Sequence, residues 1–184
     1  HDAIDNELKK DRGVIIPVTH LGELTQAGWA LVNHPKKYTV ATVVYVPHMG
    51  IYKYANHPYY DNVYFYASTS FSKISSYLEA HLAQNHIVMI YYDYGHPGQY
   101  RVPFWHEKYP YLLYTPQSLI RLHKKTGASI LPCINLPDEV IGKTLMKFID
   151  NAELMALSRD MWAQPDHIFH GVLSTALNQI FAPY

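Results

Sequence analysis

The sequence predicts an α/β sandwich, with helices covering both faces of a mainly parallel central sheet. Three observations predict it. Short apolar runs rich in Val and Ile alternate along the chain with stretches whose apolar residues recur at helical spacing. Gly, Pro and Asn punctuate the joints. The chain has 184 residues, 48% hydrophobic and 16% charged. That suffices for one substantial core, leaves little room for a second domain, and argues against disorder.

The elements follow in order. Asp2 to Arg12 is polar, with Ile4 and Leu8 at helical spacing, and reads as a surface helix. Gly13 then introduces Val14-Ile15-Ile16-Pro17-Val18, a buried strand. Leu21 to Val32 has helical spacing and is stopped by Asn33-His34-Pro35. Tyr38 to Val46 is β-branched and ends at Pro47, giving a second strand. Asn62 to Ala67 alternates tyrosine with apolar residues and reads as a third. Ser70 to Asn85 is helical, with Phe71, Ile74, Tyr77, Leu78 and Leu82 on one face. His86 to Tyr92 is a strongly apolar strand, the Asp93–Gly98 stretch a loop, and Tyr100 to Trp105 a further strand. Thr115-Pro116 opens a helix with a hydroxyl cap and a proline in its first turn, and Gly127 closes it. Ala128 to Ile134 is another buried strand. Thr144 to Ile149 fits helix or strand, and Ala152 to Trp162 and Asp166 to Phe181 are helical.

Composition removes several functions. Fifteen basic residues balance fifteen acidic ones, so the cationic surface of a nonspecific nucleic-acid binder is missing. A single cysteine, Cys133, forms no internal disulfide and no cysteine-based zinc site, and its place in an apolar strand reads as inert core. No apolar run approaches the roughly 18 residues of a membrane span. The chain begins at His1 without a signal-peptide pattern, as expected of a piece of a longer protein. Seventeen tyrosines, clustered between Tyr38 and Tyr114, leave two readings. One is a half-buried aromatic sheet. The other is a surface that meets a greasy ligand or a membrane interface.

In parallel sheets, ligands bind beyond the carboxyl ends of strands. That singles out Thr19-His20, Pro47-His48 and Asp93-Tyr94. His20 is suited to general-base work if a neighbour orients its ring, with Glu23 the nearby carboxylate and Thr25 a hydroxyl alternative. The competing reading is a satisfied structural histidine. Asp93 either caps its own loop or holds Arg101 or a reacting group. Trp105 lines a pocket or simply packs. The hydrolase elbow, the phosphate-binding loops and the zinc helix motif are all absent. His81 and His86 are spaced too far apart to share a helix face, and no histidine spacing suggests a metal centre.

Several blocks together resemble one family. Gly13-Val14-Ile15-Ile16-Pro17-Val18-Thr19-His20-Leu21-Gly22-Glu23-Leu24 is similar to the first catalytic block of the bacterial lipid A late acyltransferases, in the lysophospholipid acyltransferase-like group. Ile87 to Asp93, followed by Arg101-Val102-Pro103-Phe104-Trp105, looks like that family's later block. Thr115-Pro116 through Thr126-Gly127-Ala128 and Ile130-Leu131-Pro132 resembles its helix–strand pair, and Leu173 to Pro183 its last helix. The resemblance covers nearly the whole chain in order.

It implies a single acyltransferase-like domain over residues 1–184, without an N-terminal anchor segment and the extreme C-terminus. The implied reaction moves a fatty acyl group from an acyl-carrier-protein or coenzyme A thioester to a hydroxyl or amine acceptor. His20 matches the family's base. The acid position falls on Thr25, a departure that leaves Glu23 as the nearest carboxylate. Asp93, Arg101, Phe104 and Trp105 are the implied substrate-binding residues, with the aromatics lining an acyl groove. No arginine occurs between Arg12 and Arg101, which favours an acceptor less charged than lipid A. The resemblance implies no metal and no cofactor beyond the thioester co-substrate, a lipid or other hydrophobic acceptor, and no nucleic-acid partner. It also implies peripheral contact with the cytoplasmic face of a bacterial inner membrane. The alternatives are a family member that lost catalysis and binds lipid or carrier, and a transferase or hydrolase using a non-fatty donor.

Overall fold

The computed structural model describes residues 2–19, 30–31, 34–44, 62–67, 71–92, 101–104, 111–114, 117–138 and 143–184. The chain runs α1 (Asp2–Leu8), β1 (Val14–Val18), β2 (Val40–Val44), β3 (Val63–Ala67), α2 (Phe71–Ala83) and β4 (Ile87–Tyr91). It continues with β5 (Arg101–Phe104), β6 (Tyr111–Tyr114), α3 (Ser118–Thr126), β7 (Ser129–Ile130), β8 (Cys133–Asp138), β9 (Lys143–Phe148), α4 (Ala152–Met161) and α5 (Asp166–Phe181). Seven strands form one sheet in the order β3-β2-β4-β1-β8-β9, with β7 also paired to β1. Every pairing in it is parallel except β8 with β9. The expected α/β class is the observed one.

Strand alternation divides the core in two. Ile15, Ala41, Val88, Ile90, Ile130 and Ile134 face one way, under Leu78 and Leu82 of α2, Leu119, Ile120 and Leu122 of α3, Leu154 of α4, and Phe169, Leu173, Leu177 and Phe181 of α5. Val14, Ile16, Val18, Val40, Ile87, Met89 and Cys133 face the other way, under Ile4 of α1 with Leu31 and Tyr38. Each fully buried Leu, Ile or Phe contributes about 1.5–3 kcal/mol. The division follows from handedness. The connections β3–α2–β4 and β4–α3–β7 step across the sheet in one direction, and the β1–β2 connection steps in the other. Right-handed crossovers then place them on opposite faces.

The amino edge of the sheet is tightly tied. Asn85 accepts the Gly13 N–H through Oδ1 (2.9 Å) and donates Nδ2 to the Leu8 carbonyl (3.0 Å), so one side chain joins the end of α1, the start of β1 and the α2–β4 turn. Gly13 sits at φ +68, and a Cβ there would meet the Leu82 backbone at 2.8 Å. Asp5 binds Lys36 and accepts the Tyr38 hydroxyl (2.9 Å), fastening α1 to the segment before β2. Lys36 holds the Asp5 carboxyl below its usual range, and burial with Asp5 beside it pushes the Tyr38 phenol up to about 12.

Several expectations need correction. The first helix ends at Leu8, and it is not purely a surface element, since Ile4 is wholly buried. Tyr77 is 56% exposed: the buried stripe of α2 is Ile74, Leu78 and Leu82, four residues apart, and Tyr77 lies about 100° off it. Helix α3 opens at Ser118, and its cap position is Gln117 with helical φ and ψ and no side-chain cap. Thr115 and Pro116 lie outside the described residues. The expected strand from Ala128 to Ile134 is two strands, broken at Leu131-Pro132. Proline has no N–H for the ladder, while the Pro132 carbonyl accepts from Ile149 (2.9 Å). Residues 143–148 resolve to an antiparallel edge strand. Tyr111–Tyr114, unassigned from the sequence, pairs with β5 in a separate two-stranded sheet. Of the helix expected over Leu21 to Val32, residues 30 and 31 are described and are helical.

Candidate functional site

Strands β1 and β4 are neighbours whose outgoing connections lead to opposite sides of the sheet, β1 toward β2 and β4 toward β7. Ligands of open parallel sheets bind beyond the carboxyl ends of strands, which makes the ends of β1 and β4 the place to look. The register places Val18 beside Tyr91 and also beside Cys133. The Tyr92 N–H donates to the Val18 carbonyl at 2.8 Å, so the two strands stay paired to their last residues.

Tyr92 anchors this edge. Its ring is 2% exposed and packs against Phe181. Its hydroxyl meets Asn178 Oδ1 (2.9 Å) and the Ser174 carbonyl (3.2 Å), joining the end of β4 to α5. Strand β5 also lies alongside α5. Among the described residues, five buried side-chain atoms lack a hydrogen-bond partner: Thr19 Oγ1, Thr42 Oγ1, Asn135 Nδ2 and Oδ1, and Ser174 Oγ. Thr19 follows the last residue of β1, Asn135 lies two residues beyond the Val18–Cys133 pair, and the Ser174 carbonyl accepts from Tyr92. Thr42, by contrast, is the middle residue of β2 and pairs with Met89, so these groups are spread between the carboxyl edge and the middle of the sheet; at the amino edge the Asn85 side chain is bonded through both its oxygen and its nitrogen. Each such group costs about 1–3 kcal/mol when nothing completes it.

The sequence-predicted site residues bear on this edge unevenly. His20, Glu23, Thr25, Asp93 and Trp105 lie outside the described residues. In the sequence His20 follows Thr19 and Asp93 follows Tyr92, immediately after two strand ends that the sheet sets side by side. The backbones of Arg101 and Phe104 are the first and last residues of β5, opposite Tyr114 and Tyr111.

Two histidine pairs escaped the sequence reasoning. His86 leaves the turn after α2 and donates its backbone N–H to the His81 carbonyl (3.0 Å), which brings the two rings together with Nδ1 atoms 3.1 Å apart. Helical spacing does not reveal this, because His86 is beyond the helix. Burial holds both imidazoles below their ordinary pKa. His123 and Ser158 come from different helices, with Nε2 2.6 Å from Oγ and Nδ1 2.6 Å from the Ala128 carbonyl. A carbonyl only accepts, so Nδ1 carries the proton and Nε2 accepts from the Ser158 hydroxyl. Both residues are 1% exposed and the ring is oriented by no carboxylate, so the pair braces the core and is not set up as a nucleophile and base. Burial pushes the Cys133 thiol up to about 12, in keeping with inert core.

Among the described residues, no group of three or more His, Cys, Asp or Glu converges on a point, and no helix is long and apolar enough to cross a membrane. No protein-family model matches the chain, and no curated protein matches it. The described residues define an α/β protein in which the carboxyl ends of β1 and β4 lie side by side.

Proposed function

We propose that the protein is an acyltransferase, similar to the lipid A late acyltransferases, that moves a fatty acyl group from an acyl-carrier-protein or coenzyme A thioester to a hydroxyl or amine acceptor. One observation carries the reading. For His20 and Asp93 to serve one site, the strands they follow must lie together, and β1 and β4 are neighbours, with the Tyr92 N–H bonded to the Val18 carbonyl.

In this reading His20 removes the acceptor's proton as the oxygen or nitrogen attacks the thioester carbonyl. The thiol of the carrier leaves, and the proton returns to it through the imidazolium. Glu23 or Thr25 orients the ring; a carboxylate would also stabilise the imidazolium, which a hydroxyl does only weakly. Arg101 and Asp93 meet polar parts of the substrates, and Phe104 and Trp105 flank the chain. The acceptor is a hydrophobic molecule reached by peripheral contact with the cytoplasmic face of a bacterial inner membrane.

The test incubates the protein with carrier- and coenzyme-linked acyl donors and candidate acceptors, and follows acceptor-dependent release by mass spectrometry. His20→Ala is expected to lower transfer by about 10²-fold or more with an unchanged circular dichroism spectrum. Full activity in that variant defeats the mechanism. Glu23→Gln set against Thr25→Ala then assigns the orienting residue.

A further inference from the structure

Val88, Ile90 and Tyr92 alternate along β4 and just beyond its end, and all three enter the core that α5 covers. The first two bring hydrocarbon alone. Tyr92 brings a hydroxyl into the same apolar surroundings, with Phe181 against its ring. Packing alone would be served by phenylalanine. The hydroxyl lies 2.9 Å from Asn178 Oδ1 and 3.2 Å from the Ser174 carbonyl, and both residues are wholly buried. A buried hydrogen bond is directional where apolar contact is not, so it holds the end of β4 at one point along α5. The backbone N–H of the same residue donates to the Val18 carbonyl at 2.8 Å. Tyr92 is thus the residue at which β1, β4 and α5 are joined.

Asp93 is the next residue in the chain. In the functional reading it meets a polar part of a substrate, as does Arg101, the first residue of β5. Strand β5 also lies alongside α5, so one helix carries both segments. We propose that Tyr92 is a positioning residue for Asp93: its phenol fixes the end of β4 on α5 and so sets Asp93 relative to β5 and to the end of β1. The inference rests on the acyl-thioester reading above and adds to it a residue that never touches substrate.

Tyr92→Phe keeps the ring and removes the hydroxyl. Transfer from lauroyl coenzyme A and lauroyl acyl carrier protein, to the acceptor that the wild-type assay identifies, gives kcat and KM for this variant, for Asp93→Asn and for the double variant. Each single variant is expected to lower kcat/KM by about ten- to hundredfold, as displacing a substrate-orienting group does. The double variant is expected to lose no more than Asp93→Asn alone, because the phenol acts through the carboxylate. Ser158→Ala is the control. It too removes a buried hydroxyl bond, the one between α3 and α4. It is expected to lower the urea midpoint, as Tyr92→Phe does, and to keep wild-type kinetics. Should Tyr92→Phe not fold, Asn178→Leu, which removes the nearer acceptor, takes its place in the same cycle. Wild-type kinetics in Tyr92→Phe or in Asp93→Asn overturn the inference. Losses that add in the double variant overturn it as well, as does an equal kinetic loss in Ser158→Ala. If the wild type transfers acyl groups while any of these results holds, the positioning alone is wrong. A wild type that transfers none defeats the inference and the functional reading together.

Discussion

His123 shows how one buried side chain makes the whole fold sensitive to acid. Its ring is clasped by the Ala128 carbonyl and the Ser158 hydroxyl, stacks at 6.1 Å on Phe169 and meets the edge of Trp162 at 5.5 Å. Burial holds it below the ordinary value of 6.5, against the raising effect of the Ala128 hydrogen bond. His81, His86 and His170 are depressed in the same direction, also by burial. In the unfolded chain these rings take up protons near 6.5, whereas the folded protein resists until lower pH. The unfolded state then binds more protons, so stability is full above about pH 6.5 and declines on acidification through the folded values. Urea midpoints measured at pH 7.5 and 5.5 are expected to drop, and His123→Gln to drop by less. A midpoint independent of pH over that range contradicts the burial argument. None of this was legible in the sequence, where His123 and Ser158 are 35 positions apart and carry no motif.

At the scale of elements, legibility depended on burial. Val14–Val18 and Ile87–Tyr91 are interior parallel strands, buried on both faces, so their apolar runs stand out. Lys143–Phe148 is an edge strand with Leu145 47% exposed, which erases the alternation that marks a half-buried strand. Exposed Lys147 discourages further strand pairing. The break at Leu131-Pro132 follows from proline's missing donor, and Tyr111–Tyr114 is too short a run to declare itself. Gly13, by contrast, was visible as a breaker, and the structure adds why nothing else fits. Gly13→Ala is expected to lose at least about 2 kcal/mol from backbone strain plus collision with Leu82. Gly127→Ala, with φ +72 and nothing within 4 Å, is expected to lose only about 1 kcal/mol. Denaturant unfolding of the two variants checks the difference, and equal losses count against the close approach at Gly13.

For the molecule as a whole, the class and strand alternation were readable, but the strand order was not. Sequence places β1 next to β2; the sheet inserts β4 between them, and only that insertion makes the ends of β1 and β4 adjacent. The strand ends that precede His20 and Asp93 were therefore legible one at a time, and the topology sets those two ends side by side. Strand β1, with β4 on one side and β7 and β8 on the other, is expected to be the last region to exchange its amide hydrogens, slower than β3 and β9 at the edges. Mass-resolved hydrogen exchange checks this, and faster exchange in Val14–Val18 than in Lys143–Phe148 contradicts the order.

Helix α5 carries a consequence for biosynthesis. Phe169, Leu173, Leu177 and Phe181 roof one side of the sheet, and Asn178 receives the Tyr92 phenol. Every strand described above precedes α5 in the chain, so all of them leave the ribosome before the helix that roofs them. Until residues 166–181 emerge from the exit tunnel, that nascent sheet presents a greasy flank to water, and chaperone engagement should peak in this interval.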